Sequence, residues 1–102
     1  MTNAEFLLEV KRNVLEIDPQ AEVWLLGSRA RGDARANSDW DFLVLTDELA
    51  NWTFKRRLRD HPYDVGFSTN HVISTVIQSR KQTPFLTVTD LYQNVMEEGV
   101  RL

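Results

Sequence analysis

The apolar positions of this chain switch between helical and strand spacing, and the switches mark its elements. Thr2 followed by Glu5 reads as a capping box, a start signal for a helix. Phe6, Leu7, Val10, Val14, Leu15 and Ile17 then recur at helical spacing, and Pro19 stops the run. The segment EVWLL at 22–26 is short, apolar and strand-like, and it ends at Gly27. Ser28 to Asp33 predicts a short helical turn closed by Gly32, and Ala34 to Ser38 a polar loop. The run WDFLVLT at 40–46 reads as a second strand, apolar on both faces and so central in its sheet.

The second half is less regular. Asp47 can cap a helix reaching about Arg59, with Leu49, Trp52, Phe54 and Leu58 as its apolar members. His61-Pro62 breaks the chain, and 63–68 reads as a third strand. Tyr63, Val65 and Phe67 would face one way there, Asp64 and Gly66 the other. Asn70 can cap a helix of about 71–81 with Val72, Ile73, Val76 and Ile77 turned inward. Pro84 opens a last helix to about Glu98, with Leu86, Leu91, Val95 and Met96 buried and Gly99 at its C-cap. The order α-β-β-α-β-α-α predicts an α/β (α+β) domain: a small mixed sheet with helices packed on one face.

Composition narrows the picture without adding chemistry. At 102 residues the chain is one domain, 1–102, with an adequate core. A net charge of −3 gives no electrostatic case for nucleic acid as a direct partner. There is no cysteine, hence no disulfide framework and no thiolate metal site, which fits a cytoplasmic location. The opening MTNAEFLLEVKR lacks the apolar region of a secretory signal, and no apolar run approaches a membrane span. The basic run Lys55-Arg56-Arg57 with Arg59 reads as a solvated helix face.

The chemistry concentrates in 27–41, GSRARGDARANSDWD. A strand ending in Gly27 can turn sharply and let backbone approach a ligand closely. The amide N–H groups of the following helical turn favour an anion, and the Ser28 hydroxyl adds a donor. Arg29 and Arg31 bring positive charge that can grip phosphate oxygens. Taken alone, a Gly-Ser pair is more often a strand-to-turn corner beside solvated arginines. Asp39 and Asp41 shift that balance. Two apart on a strand, they point to one face at a Cα spacing of about 6.5 Å, and such carboxylates can share hard divalent cations. Aspartates entering a hydrophobic strand also cost stability unless a cation compensates. The pair alone leaves a second reading open, in which Asp39 caps the loop and Asp41 is a solvated edge residue. Ser38 reads as a loop or capping residue that orients Asp39, with a phosphate contact as the other option. Asp64 is the candidate third carboxylate; its bland alternative is one polar residue on a half-exposed strand.

Gly27-Ser28, ten intervening residues and Asp39-Trp40-Asp41 reproduce the pattern GSx10DxD. Within it, GSRARGDARANSDWDFLVL resembles the GSRARGxAxxxSDxDLLV signature of the minimal nucleotidyltransferases, in the polymerase-β-like nucleotidyltransferase superfamily. The ending Glu97-Glu98-Gly99-Val100-Arg101-Leu102 is similar to that family's close. The resemblance implies a nucleotidyltransferase fold that uses ATP and Mg²⁺, with two ions. By the same resemblance Gly27 and Ser28 hold the β- and γ-phosphates, and Asp39 and Asp41 bind the metal ions. Asp64 completes one metal site and helps to deprotonate the acceptor hydroxyl. Either Arg29 or Arg31 stabilises charge on the departing pyrophosphate. Many members of the family are antitoxins paired with a HEPN-domain ribonuclease toxin, and the family activity transfers AMP to a toxin tyrosine. Two alternatives stand beside that expectation: a non-catalytic module that neutralises its partner by occlusion, and transfer to a small molecule or RNA.

Overall fold

A reciprocal pair of hydrogen bonds opens the first helix. The Glu5 N–H donates to Thr2 Oγ1 at 3.2 Å, and the Thr2 N–H donates to Glu5 Oε1 at 3.3 Å, so two orphan donors are satisfied together. The computed structural model describes residues 2–36, 38–47, 56–57, 60, 71–80 and 90–102. Helix α1 spans Asn3–Ile17 and ends two residues before Pro19, with Asp18 as C-cap. Phe6, Val10 and Val14, four apart, form its fully buried stripe.

Strand β1 is Glu22–Leu26 and strand β2 is Trp40–Thr46, both with the bounds their apolar runs predict. Between them lies helix α2, Gly27–Arg31, which closes on Gly32 in the left-handed region at φ 82°. Strand β3 is Ile73–Ser79, helix α3 Asp90–Glu98 and strand β4 Val100–Arg101. The sheet order is β3-β2-β1-β4. Strands β1 and β2 are antiparallel with Leu26 opposite Asp41; β2 and β3 are parallel with Asp41 opposite Ser74. Strand β4 pairs antiparallel with β1, Trp24 opposite Arg101. The sheet is therefore mixed and the fold α+β, with β2 paired on both sides as its apolar faces predict.

The two faces of the sheet are packed differently. Val23, Leu25, Trp40, Phe42, Val44 and Ile77 meet the α1 stripe in the larger core cluster. Leu43 and Leu45, on the opposite face of β2, meet Val95 of α3 with Trp24 and Tyr92 beside them. Helices thus stand on both faces, one more than the pattern alone suggests, because β2 exposes apolar side chains in both directions and α3 covers the second set. Beyond β2, Arg80 pairs with Glu22 and Asp47, tying the far ends of β1, β2 and β3 together.

Two further expectations are corrected: Met96, expected on the buried face of the last helix, is 42% exposed, and the helix expected at 71–81 is replaced by a strand. Residues 71–80 are not helical; Ile73–Ser79 is a strand, and its burial alternates, with Ile77 and Ser79 buried while Ser74 and Val76 are exposed. The sequence VISTVI fits either period, since Val72, Ile73, Val76 and Ile77 also make a helical stripe. Its β-branched residues favour the pleated form, and the parallel ladder with β2 satisfies the backbone groups of both strands. Val72 is accordingly 63% exposed instead of buried. Of the helix predicted at 47–59, Asp47 stands in a bend paired with Arg80, Arg56 and Arg57 are helical, and Arg56 forms an i, i+4 pair with Asp60; 48–55 and 58–59 lie outside the described residues. The strand predicted at 63–68, and Asp64 with it, also lies outside them, as does the stretch from Pro84 to 89.

Candidate active site

Gly27 is the pivot of the site. It ends β1 and begins α2 with φ at +69°, a conformation that side-chain-bearing residues adopt at a cost. A Cβ on Gly27 would stand 2.7 Å from Asp41 Oδ2. The missing side chain is therefore what lets the Asp41 carboxylate lie against the turn. The register leads to the same contact, since Asp41 stands opposite Leu26, the residue before Gly27. The α2 N-cap is Leu26, whose side chain makes no capping hydrogen bond to the first turn. Ser28 belongs to that turn; its carbonyl accepts from the Gly32 and Asp33 N–H groups, and this closes the turn.

Asp39 and Asp41 stand at the head of β2, Asp39 exposed and Asp41 half-buried. Burial pushes the Asp41 carboxyl above its ordinary value of 3.8, and the neighbouring Asp39 charge pushes it further the same way. Two hard oxygen donors that repel each other in a partly desolvated position fit a divalent cation, whose charge would reverse both effects. Among the described residues no third His, Cys, Asp or Glu joins them in a metal-binding group. The position opposite Asp41 on β3 holds Ser74. With two carboxylates, a Mg²⁺ ion would complete its shell with water and substrate phosphates, its common arrangement in nucleotide sites.

The arginines of the motif separate. Arg31 is exposed and links Asp33, at 3.3 Å, with Glu98 of α3, at 3.8 Å. Arg29 turns the other way. Its Nη2 donates to the Ser38 carbonyl at 2.9 Å and the Ala36 carbonyl at 3.2 Å, and its guanidinium carbon lies 4.3 Å from the centre of the Trp40 ring. Ser38 behaves as a loop-capping residue: its Oγ accepts from the Arg35 N–H at 2.9 Å, and its own N–H donates to the Arg35 carbonyl. Trp40 is core, 4% exposed, with its ring edge-on to Phe6; His71 stacks on Phe6 at 4.0 Å between centroids. Gly27, Ser28, Asp39 and Asp41 are thus brought together, while Arg29 and Ser38 are spent on the loop that delivers Asp39.

A family model for the nucleotidyltransferase domain matches residues 6–102, almost the whole chain. The chain belongs to the nucleotidyltransferase domain family. No curated protein matches this nucleotidyltransferase domain. Among solved structures it is similar to a toxin–antitoxin with AMP-PNP, at 19% identity and a TM-score of 0.64 over 98% of this chain and 72% of that one. It is also similar to the toxin–antitoxin MntA-HpeT in a mutant form with two aspartates changed to glutamate, at 14% identity and a TM-score of 0.60, covering 99% and 72% of the two chains. At these identities the likeness shows the fold. Among the described residues no helix is long and apolar enough to cross a membrane.

Proposed function

We propose that this nucleotidyltransferase transfers AMP from ATP to a hydroxyl acceptor, and that the acceptor is a tyrosine of a HEPN-family toxin which the chain neutralises as an antitoxin. The observation that carries the proposal is the contact of the Asp41 carboxylate with the Gly27 turn, where an anion-binding backbone meets paired carboxylates. The toxin partner and the nucleotide are supported by the two similar folds, one a toxin–antitoxin with AMP-PNP and both toxin–antitoxin structures.

In this reading the α2 N–H groups and the Ser28 hydroxyl bind the β- and γ-phosphates of ATP and orient the triphosphate. Asp39 and Asp41 would hold Mg²⁺, which when bound polarises the phosphate and neutralises developing charge. The acceptor oxygen bonds to the α-phosphorus as the bond to pyrophosphate breaks, in line. Asp64 is proposed as the third carboxylate that receives the acceptor proton. Arg31, exposed beside the turn, is the arginine proposed to exchange its ion pairs with Asp33 and Glu98 for the pyrophosphate. A second reading, a non-catalytic antitoxin that works by occlusion, takes its support from Ser74, which leaves β3 without a carboxylate opposite Asp41.

ATP labelled at the α- or the γ-phosphate separates the outcomes. Transfer of AMP leaves α-label and no γ-label on the partner; occlusion leaves neither.

A further inference from the structure

We infer that Arg29 is a positioning residue for the metal-binding carboxylates, acting by gripping the chain on both sides of Asp39. The inference rests on the reading of Asp39 and Asp41 as cation ligands and adds a residue to that site. Arg29 donates to the carbonyl of Ser38, the residue before Asp39, and lies over the ring of Trp40, the residue after it. A further bond reaches the Ala36 carbonyl, so the same side chain also holds the loop leading to Asp39. Arg29 Nε is buried with no hydrogen-bond partner among the described residues, a cost that a solvated surface arginine would not carry.

The chemistry of the side chain suits this task. A planar guanidinium can donate in its plane to two carbonyls while presenting its face to an indole. A lysine ammonium lacks that planar fork and flat face, so it cannot hold both contacts in the same fixed geometry. Asp39 is exposed, so its place is set by its backbone more than by packing. Arg29 also belongs to α2, the turn that begins at Gly27. One side chain therefore sets the distance between the phosphate-binding turn and the first carboxylate. Such support of a ligand from outside the ligand set commonly matters to metal affinity.

The test is Arg29→Lys in the full-length chain, with Mn²⁺ binding in the presence of a non-hydrolysable ATP analogue read by electron paramagnetic resonance. Thermal unfolding of the same samples reports folding. The expected result is a folded variant whose Mn²⁺ affinity falls about tenfold or more, and whose transfer defect is partly recovered by excess metal. An unchanged Mn²⁺ affinity in the folded variant overturns the inference. So does a defect confined to ATP affinity at saturating metal, which would make Arg29 a phosphate ligand. If Arg29→Lys does not fold, Arg29→Gln, whose amide can still donate to one carbonyl, is read by the same two criteria. Asp39→Asn is the control: if the parent shows no Mn²⁺ binding that this change removes, the metal reading itself falls and Arg29 has no site to position.

Discussion

Asp41 Oδ2 occupies the space that a side chain on Gly27 would fill, 2.7 Å from the position of its Cβ. Gly27 opens α2 and Asp41 lies in β2, and their contact joins the turn proposed to bind phosphate to the carboxylates proposed to bind metal. Gly27→Ala tests that junction. The substitution places a methyl group in a left-handed conformation, which costs about 1–2 kcal/mol, and pushes the Asp41 carboxylate aside. Calorimetry should show Mg²⁺-ATP affinity lost in a chain that still folds. Affinity equal to the parent's would place the phosphates elsewhere.

Asp41 itself predicts a dependence of stability on pH. Burial and the Asp39 charge raise its folded value above 3.8, so the folded chain holds this proton more tightly than the unfolded chain. That contribution to stability is complete below the ordinary carboxylate value and is lost as pH rises through the raised one. Asp41→Asn cannot ionise. It should therefore unfold at a higher temperature than the parent at neutral pH, with the difference closing below about pH 4. Adding Mg²⁺ and ATP should narrow or reverse the order, because ligand binding stabilises only the chain that binds it. Thermal unfolding with and without ligand reads both effects.

The buried carboxylate of Asp18 concerns the fold and not the site. Its Oδ2 accepts from the Thr46 hydroxyl at 2.5 Å and its Oδ1 from the Gln20 N–H at 3.0 Å, joining the end of α1 to the end of β2. Thr46→Val keeps the shape and removes the donor. A loss of about 1.5–3 kcal/mol is expected for a hydrogen bond to a charged group, read as a lower urea midpoint at unchanged slope. Nucleotide binding should be unaffected, since Thr46 and Asp41 sit at opposite ends of β2.

The elements nearest the site were the most legible in the sequence. Strands β1 and β2 are apolar runs with polar or glycine boundaries, and α1 begins with a capping box; local chemistry marks each end. The segment around Ile73 was not legible, because Ile73 and Ile77 fall on one face in either period and only the free edge of β2 decides between them. Strand β4 is two residues long, too short to carry a period. The Gly27-Ser28 turn follows from the end of the apolar run at Leu26, and the shared face of Asp39 and Asp41 from their spacing, while their role as a site came only with the family resemblance. The part played by Arg29 could not, since the carbonyls it binds follow it by seven and nine residues and are set by the path of the loop. Trp40 held a hint of it: a large aromatic placed between two aspartates offers a face to a cation.

The central claim is that Asp39 and Asp41 serve nucleotidyl transfer. Its most direct test is the intact mass of the proposed toxin partner after incubation with ATP, Mg²⁺ and either the parent chain or Asp39→Asn/Asp41→Asn. The parent should add the mass of AMP, once or more per partner. The double variant, folded and still bound to the partner, should slow that addition at least about a hundredfold, as loss of a charge-stabilising site does. A double variant that modifies the partner as fast as the parent would contradict the claim. So would a parent that neutralises the toxin in cells while its partner's mass stays unchanged, which would leave occlusion as the mechanism.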